Sequence, residues 1–463
     1  MPYGRGVDEP VEPINEQQLL RLTPEGYASD GAGVARLDGR VIFVAGGLRG
    51  EPCTVKIDKV GRSAIWGHVT EVLAPAPARL VPDCPHYALC GGCQLRHMTY
   101  EEELDCKRRR VEDALQRIGG TEIGVSVIHG AKNTQRYRNK VQFPVSGGPR
   151  GPQIGFYRAR SHSVIDVADC LLQPEAAGLL RAAVLTWMRQ FRVPAYDERS
   201  GKGLLRHLYL RRNRAGETLC CLLVHGKNLP HEAELVEALR AAEPNLRGIV
   251  LGVHEEHNNV ILGDTYRTLW GEDFLYDSLC GLQFKLSVPS FYQVNSDQAE
   301  LLYARALALA DLNGSETVLD LYCGIGTISL VMAQAAGRVI GCEVVPEAIR
   351  DAKENALRNG ISNAEFICGD AGAAAGQLLA AGIRPEVICV DPPRKGLAPE
   401  VIDIIAALAP QRLVYVSCDP GTLARDVKLF AQKGYTLKTA EAVDLFPRTA
   451  HVETVTLLTK DPY

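Results

Sequence analysis

Alternating apolar and polar positions mark short strands in the first part of the chain. They are clear at Val41–Val44, Cys53–Ile57 and Ile65–Val72, between glycine-rich turns, a spacing that predicts a small β-barrel over residues 15–74. A proline-rich linker, APAPARLVPD (Ala74–Asp83), follows, and then a charged helix from about Glu101 to Ile118. The pattern next mixes helices (Leu171–Phe191, His231–Ala242) with strands (Leu205–Leu210, Thr218–Val224), the two strands reading as a sheet edge and its neighbour. From Asp297–Ala310 onward the alternation becomes regular. Strands are expected at Thr317–Tyr322, Val339–Val344, Ala364–Cys368, Val387–Val390, Leu413–Val416, Thr436–Asp444 and Thr454–Leu458. One intervening helix is entered by Pro346 and stopped by Gly360. Such βα alternation predicts an α/β domain with a doubly wound, mostly parallel, Rossmann-like sheet over 286–463, after a mixed α+β segment over 75–285.

Composition narrows the class. A chain of 463 residues exceeds one ordinary core, and 46% hydrophobic with 23% charged residues suits a globular protein. The start, MPYGRGVDEPVEP, is polar and proline-punctuated, and no apolar run approaches the roughly 20 residues of a membrane helix, so a cytoplasmic protein is expected. In that compartment, 14 cysteines argue for metal or catalytic use over disulfides.

The formal net charge of −4 conceals a segregation. Ala131–Ala215 holds 16 Lys and Arg against 5 Asp and Glu, with aromatics interleaved in RYRNK (Arg136–Lys140), GFYRARSH (Gly155–His162) and RHLYLRRNR (Arg206–Arg214). Guanidinium groups beside rings suit single-stranded RNA, although a solvated charged face would show the same pattern.

The chemistry concentrates in the βα region. VLDLYCGIGTISL (Val318–Leu330) is strand, glycine turn and helix. Glu343 closes the next strand 19 residues after Gly324, where an acid accepts from ribose hydroxyls, and Asp370 closes the third, where adenine would lie. A dinucleotide fold would want a third glycine where Ser329 stands. Asp320 before the turn would repel pyrophosphate but attract the amino group of a methionine, which favours S-adenosylmethionine. VDPPRKG (Val390–Gly396) frees Asp391 on a stiff loop, with Arg394 where amino-methylases carry a base-stacking aromatic.

Cys418, in VYVSCDP, is presented at a strand's carboxyl end, and Glu453 follows 35 residues later. Carbon 5 of uracil attacks a methyl donor only after a thiolate has added at carbon 6, and a base must then take the carbon 5 proton. Cys418 is the expected nucleophile and Glu453 the expected base. Finally, Cys84, Cys90 and Cys93 form C-x5-C-x2-C, with Cys170 or Cys106 as a fourth thiolate. A single C-x2-C knuckle favours a [4Fe–4S] cluster over zinc.

Together these motifs resemble the RNA 5-methyluridine methyltransferases that modify 23S ribosomal RNA or the tRNA T-loop. CPHYALCGGCQ with distant Cys170, SFYQVN, DLYCGIGT, DPPRKG, VSCDPGTLARD and the H-x-E of His451–Glu453 follow in family order over nearly the whole chain. The resemblance implies that the N-terminal barrel is a TRAM domain and that Cys84, Cys90, Cys93 and Cys170 hold the cluster. It further implies that Gln293, Tyr322, Glu343 and Asp391, with Thr327 and Asp370, contact S-adenosylmethionine, and that Phe291 lies near the target base. Some members have asparagine at the place of Thr327. Possession of both barrel and cluster implies 23S ribosomal RNA over tRNA, and a monomeric enzyme is expected.

Overall fold

The computed structural model describes residues 14–148, 151–258, 260–263 and 265–461; the polar start at 1–13 lies outside the described residues. The chain forms two compact units. The smaller takes in the residues up to Asp83 together with Cys93–Arg110 and Arg448–Ala450, and the larger takes in the rest.

In the smaller unit, six short strands between Leu19 and Val72 form one sheet, antiparallel except where Ile42–Ala45 runs beside Ile65–His68. Alternate positions turn inward, so that Ile42, Val44, Val55, Ile57 and Ile65 are wholly buried in one cluster. Buried Glu51 is neutralised by Arg79, whose Nε donates to it at 2.9 Å. Arg49 bridges Glu102 at 3.0 Å and Asp105 at 2.8 Å.

The larger unit contains two main sheets. One has seven strands in the order Val164–Asp166, Gly151–Tyr157, Lys140–Gly148, Leu205–Arg212, Thr218–Val224, Leu246–Val253 and Thr265–Gly271. Helices Glu175–Gln190 and Glu232–Ala242 supply Leu180, Val184, Trp187 and Leu235 to its core. Leu205–Arg212 and Thr218–Val224 are its central strands, not an edge and its neighbour as the sequence suggested. Arg206, His207 and Arg211 give the strand the polar character of an edge, yet all three are buried and both arginines are hydrogen-bonded.

The second sheet has eight strands, in the order Ala364–Cys368, Arg338–Glu343, Thr317–Leu321, Val387–Val390, Arg412–Ser417, Glu453–Lys460, Tyr435–Val443 and Val125–His129. Every neighbouring pair is parallel except the two made by Glu453–Lys460. The parallel strands are apolar on both faces, with Val318, Leu319, Val339, Ile340, Ile388, Cys389, Leu413 and Val414 all wholly buried between helical layers. Helices begin where the sequence provides caps: Asn295 before Ser296–Ala310, Asp370 before Ala371–Ala380, Asp419 before Pro420–Ala431, and Pro346 at its own first turn.

Gly341, in the Arg338–Glu343 strand, shows how tightly these layers meet. A Cβ there would stand 2.7 Å from Phe366 Cδ1 and 2.9 Å from Ser329 Oγ, and Ser329 in turn holds Asp320 at 2.5 Å. Gly341→Ala is therefore expected to cost about 1–3 kcal/mol by overpacking and to displace Ser329. Thermal melting with and without S-adenosylmethionine should show a lowered melting temperature and weakened binding together.

Candidate active site

Parallel registers bring the sequence motifs to one edge. Leu321 lies opposite both Cys342 and Val390, Glu343 opposite Cys368, and Val390 opposite Tyr415. Tyr322, Glu343, Asp370, Asp391 and Cys418 thus all stand at or just beyond the carboxyl ends of adjacent strands, where open α/β sheets bind ligands.

The turn after Thr317–Leu321 is built from positive φ angles: Tyr322 at 72°, Gly324 at 54° and Gly326 at 84°. Gly324 faces open space, with nothing within 4 Å of a notional Cβ, whereas at Gly326 the Cβ would meet Ala352 and Phe366 at 3.2 Å. The Glu343 carboxylate accepts from the backbone N–H groups of Gly324, Val344 and Val345 at 3.2, 2.8 and 3.0 Å. Asp370 sits two residues past its strand and caps the next helix through Oδ1, accepting from Gly372 and Ala373. Burial first, then Asp370, Asp426 and Glu343, push the Tyr322 hydroxyl up to about 12.

Buried Asp320 accepts from Ser329 through one oxygen, while Oδ1 has no partner. That orphan acceptor beneath an open glycine turn suits a cationic amine, as in the methionine part of S-adenosylmethionine. Thr327 opens the following helix, its Oγ1 3.4 Å from the Tyr303 hydroxyl. Gln293 is buried on the segment before Ser296–Ala310, its carbonyl accepting from Asn139 Nδ2 at 2.8 Å. Phe291, two residues earlier, is 65% exposed with the Lys140 ammonium 5.9 Å from its ring centre.

Antiparallel pairing explains the distant thiol and acid. Ser417 lies opposite Thr454, so one further step along each strand sets Cys418 beside Glu453. Burial, Glu453 and Asp391 push the Cys418 thiol up to about 11, against a downward pull from Arg394. Glu453 is only 3% exposed. Burial and Asp391 lift its carboxyl to about 8, again opposed by Arg394. Burial alone raises Asp391 to about 7. The thiol is on a stiff loop, since Asp419 N–H donates to Ser417 Oγ at 3.2 Å and Asp419 caps the next helix through Gly421 and Thr422.

Two positioning groups were not singled out from the sequence, although the first lies at the end of VSCDPGTLARD. Buried Asp426 accepts from Leu397 N–H and the Tyr415 hydroxyl at 2.8 and 2.7 Å, while Arg425 donates to the Lys395 and Leu397 carbonyls, tying down the Asp-Pro-Pro loop. The second is Tyr303, whose hydroxyl is pushed up by burial and by Asp391, Asp320 and Glu453. It lies in an otherwise unremarkable helical stretch.

Residues 272–461 match the model of the tRNA (uracil-5-)-methyltransferase family. An uncharacterized RNA methyltransferase of Halalkalibacterium halodurans is 43% identical over 448 residues, covering 96% of this chain and 98% of that one. An uncharacterized RNA methyltransferase of Clostridium tetani is 40% identical, covering 96% and 97%. The chain belongs to the RNA 5-methyluridine methyltransferase family. Among solved structures, the tRNA (uracil-54, C5)-methyltransferase of Pyrococcus abyssi in complex with S-adenosyl-L-homocysteine superposes with a TM-score of 0.76. It is 25% identical and covers 95% of this chain and 100% of that one. This RNA (uracil-5-)-methyltransferase is accordingly an S-adenosylmethionine-dependent enzyme acting on RNA. No described helix is long and apolar enough to cross a membrane.

Of the four expected cluster cysteines, Cys84, Cys90 and Cys170 belong to the larger unit and Cys93 to the smaller. None is in a disulfide. Burial raises the Cys90 and Cys170 thiols; Cys170 and Cys84 raise Cys90 further, and Cys84 also raises Cys170, so these three sulfurs are neighbours. Among the described residues, no three His, Cys, Asp or Glu stand already gathered at metal-binding distances. Cys106, the rival fourth ligand, is buried in helix Tyr100–Arg117, and burial pushes its thiol up to about 12. Much of the basic excess is internal. Arg136 is bound to Asp169 and to the Cys170 and Gln173 carbonyls, Arg181 to Asp166 and the Ile154 carbonyl, and Arg206 to the His254 and Glu256 carbonyls.

Asp320, Asp391 and Glu453 titrate near 7, 7 and 8 in the fold, against 3.8, 3.8 and 4.5 when unperturbed. Between these limits the folded enzyme binds protons that the unfolded chain has lost. The stabilisation from protonation is therefore complete at low pH and disappears as pH rises through 7 to 8. The ligand-free enzyme should melt at lower temperature at pH 9 than at pH 6. Asp391→Asn, which cannot ionise, should narrow that difference in calorimetric scans; an unchanged difference would mean that Asp391 is not held protonated.

Proposed function

We propose that this enzyme methylates carbon 5 of a uridine in 23S ribosomal RNA, with Cys418 as nucleophile and Glu453 as general base. The supporting observation is the register that sets Cys418 beside buried Glu453, next to a glycine turn open above Gly324. Gln293, Tyr322, Thr327, Glu343, Asp370 and Asp391 are proposed to contact S-adenosylmethionine: Glu343 the ribose, Asp370 the adenine side, with Asp320 on the amino group. Phe291 is proposed to meet the target base.

In the reaction the Cys418 thiolate adds to uracil carbon 6, and the electron pair displaced to carbon 5 attacks the methyl carbon. The methyl–sulfur bond breaks, leaving S-adenosylhomocysteine. Glu453 takes the carbon 5 proton, the ring double bond re-forms, and the carbon 6–sulfur bond breaks. Without a ligand, burial first and the neighbouring acids second keep both groups protonated near neutrality. A sulfonium beside them supplies the missing positive charge and favours thiolate and carboxylate. The nucleophile is thus best ionised when the methyl donor is in place.

The substrate follows from the resemblance of members having both barrel and cluster to the ribosomal RNA enzymes. A second reading, tRNA, is favoured by the likeness to the Pyrococcus abyssi enzyme, which spans 95% of this chain. Incubating the enzyme with labelled S-adenosylmethionine and unmodified 23S or tRNA transcripts, then identifying the labelled nucleoside, separates them. Label in 5-methyluridine from 23S RNA alone is expected; label from tRNA alone would replace the substrate, and label in cytosine would overturn the chemistry. Cys418→Ala should abolish transfer. Glu453→Gln should accumulate a covalent protein–RNA adduct visible on denaturing gels, because the carbon 5 proton stays in place.

Cys84, Cys90, Cys93 and Cys170 are proposed to hold a [4Fe–4S] cluster. Four thiols outside any disulfide, with Cys84, Cys90 and Cys170 electrostatically coupled, are the soft donor set such a cluster takes. The cluster would fix the backbone around these cysteines and has no step in the methylation. Enzyme purified without oxygen should be brown and contain about four irons per chain; zinc without iron would refute the assignment.

A further inference from the structure

Two basic motifs lying some 70 residues apart in the sequence, RYRNK and RHLYLRRNR, meet because strand Lys140–Gly148 pairs with Leu205–Arg212, setting Lys140 opposite Arg211. Beside that junction the larger unit has a cavity of about 660 Å³ whose walls include Arg138, Asn139, Arg212 and Arg214. That volume suits a nucleotide far better than a lone ion.

The walls are set up for a nucleotide in three ways. Arg138 Nε, a donor, and Asn139 Oδ1, an acceptor, are buried without partners on consecutive wall residues, so a small turn of either side chain offers a donor and an acceptor to a nucleobase edge. Two helices also begin at the cavity. Glu175–Gln190 starts there at Pro174, whose side chain caps nothing, and Ser296–Ala310 starts there at Asn295. Their first turns turn positive dipole ends towards it. Finally, Arg212 and Arg214 bring guanidinium groups that already have partners, Arg212 donating to Thr218 Oγ1 at 3.0 Å as well as to buried Glu243. Arg212 lies 3.2 Å from Glu243, and Arg214 lies 3.3 Å from Asp297 and 2.9 Å from Glu300. Asp297 and Glu175 also line the walls, so an entering phosphate exchanges partners with existing ion pairs.

We propose that this cavity receives one nucleotide of the RNA other than the target uridine, its base edge on Arg138 and Asn139 and its phosphate on Arg212 and Arg214. The proposal rests on RNA being the substrate. Its position gives it a role in placing the strand. Asn139 N–H donates to the Val294 carbonyl at 2.8 Å, and Asn139 Nδ2 donates to the Gln293 carbonyl at 2.8 Å and Ser296 Oγ at 3.0 Å. The cavity floor is therefore hydrogen-bonded to the same SFYQVN segment that carries Phe291 and Gln293. A nucleotide held here would fix how far along the strand the target uridine lies.

The test uses full-length enzyme and a methylatable transcript in which 4-thiouridine replaces uridine at random, irradiated and mapped by mass spectrometry. Cross-links to the peptides containing Arg138–Asn139 or Arg212–Arg214 are expected, besides those at the catalytic edge. Arg138→Ala and Arg214→Ala should each weaken RNA binding several-fold while leaving S-adenosylmethionine affinity unchanged. For Arg214→Ala, the slope of log affinity against log salt should also fall by about 0.7, one single-strand phosphate contact, and Arg214→Lys should restore that slope. An RNA that binds and is methylated normally, with no cavity cross-links and unaltered slopes, would overturn the cavity assignment alone. An RNA neither bound nor methylated by wild-type enzyme would instead overturn RNA as the substrate, and this occupant with it.

Discussion

Concentrating acids in a dry place is the constraint that the rest of the catalytic domain accommodates. Asp320, Asp391 and Glu453 converge at one sheet edge, and Arg394 is the cation that counters Glu453 there. In water such carboxylates would ionise independently; here burial raises all three, and Asp391 raises the other two further. The layers around them are correspondingly stiff. Ser329 holds Asp320 from one side, Asp426 and Arg425 fix the Asp-Pro-Pro loop, and Asp419 locks the turn bearing the thiol. A looser scaffold would let these groups drift apart and reach solvent, and their electrostatic tension would vanish. In the proposed reaction the methyl donor is both a reactant and the missing counter-charge of the site.

The catalytic sheet was legible to within a residue or two at most strand ends. Regular βα alternation specifies it locally, and capping residues such as Asn295, Asp370 and Pro346 mark the helix starts. Its last strand, Val125–His129, was not legible. It pairs with Tyr435–Val443 from more than 300 residues away, and nothing within five residues announces a partner that distant. The central place of Leu205–Arg212 was misread for a different reason. Alternation reports polarity, while Arg206 and Arg211 show that polar side chains can be buried when backbone carbonyls receive them.

The same division holds at the site. Residues whose chemistry needs a particular type at a particular place, Cys418, Glu453, Glu343 and Asp391, stood out because their motifs are local. Tyr303 did not, and Asp426 stood in VSCDPGTLARD without a legible role, since each acts through neighbours assembled only in three dimensions. The basic segment was half legible. Its charge was plain, but which arginines brace the fold and which face a cavity depends on partners such as Asp169 and Asp166, and these pairings are tertiary.

Antiparallel pairing of Arg412–Ser417 with Glu453–Lys460 has a consequence for how this enzyme tolerates change. Side chains alternate faces along a strand, so slipping one strand by a single position would turn Glu453 away from the thiol while leaving every backbone hydrogen bond replaceable. The 35 residues separating the proposed nucleophile and base are therefore not a ruler. Insertions or deletions in the turns between these strands leave the two groups together, whereas a frame change of one residue within either strand parts them without unfolding the sheet. What must be inherited intact is parity, not length.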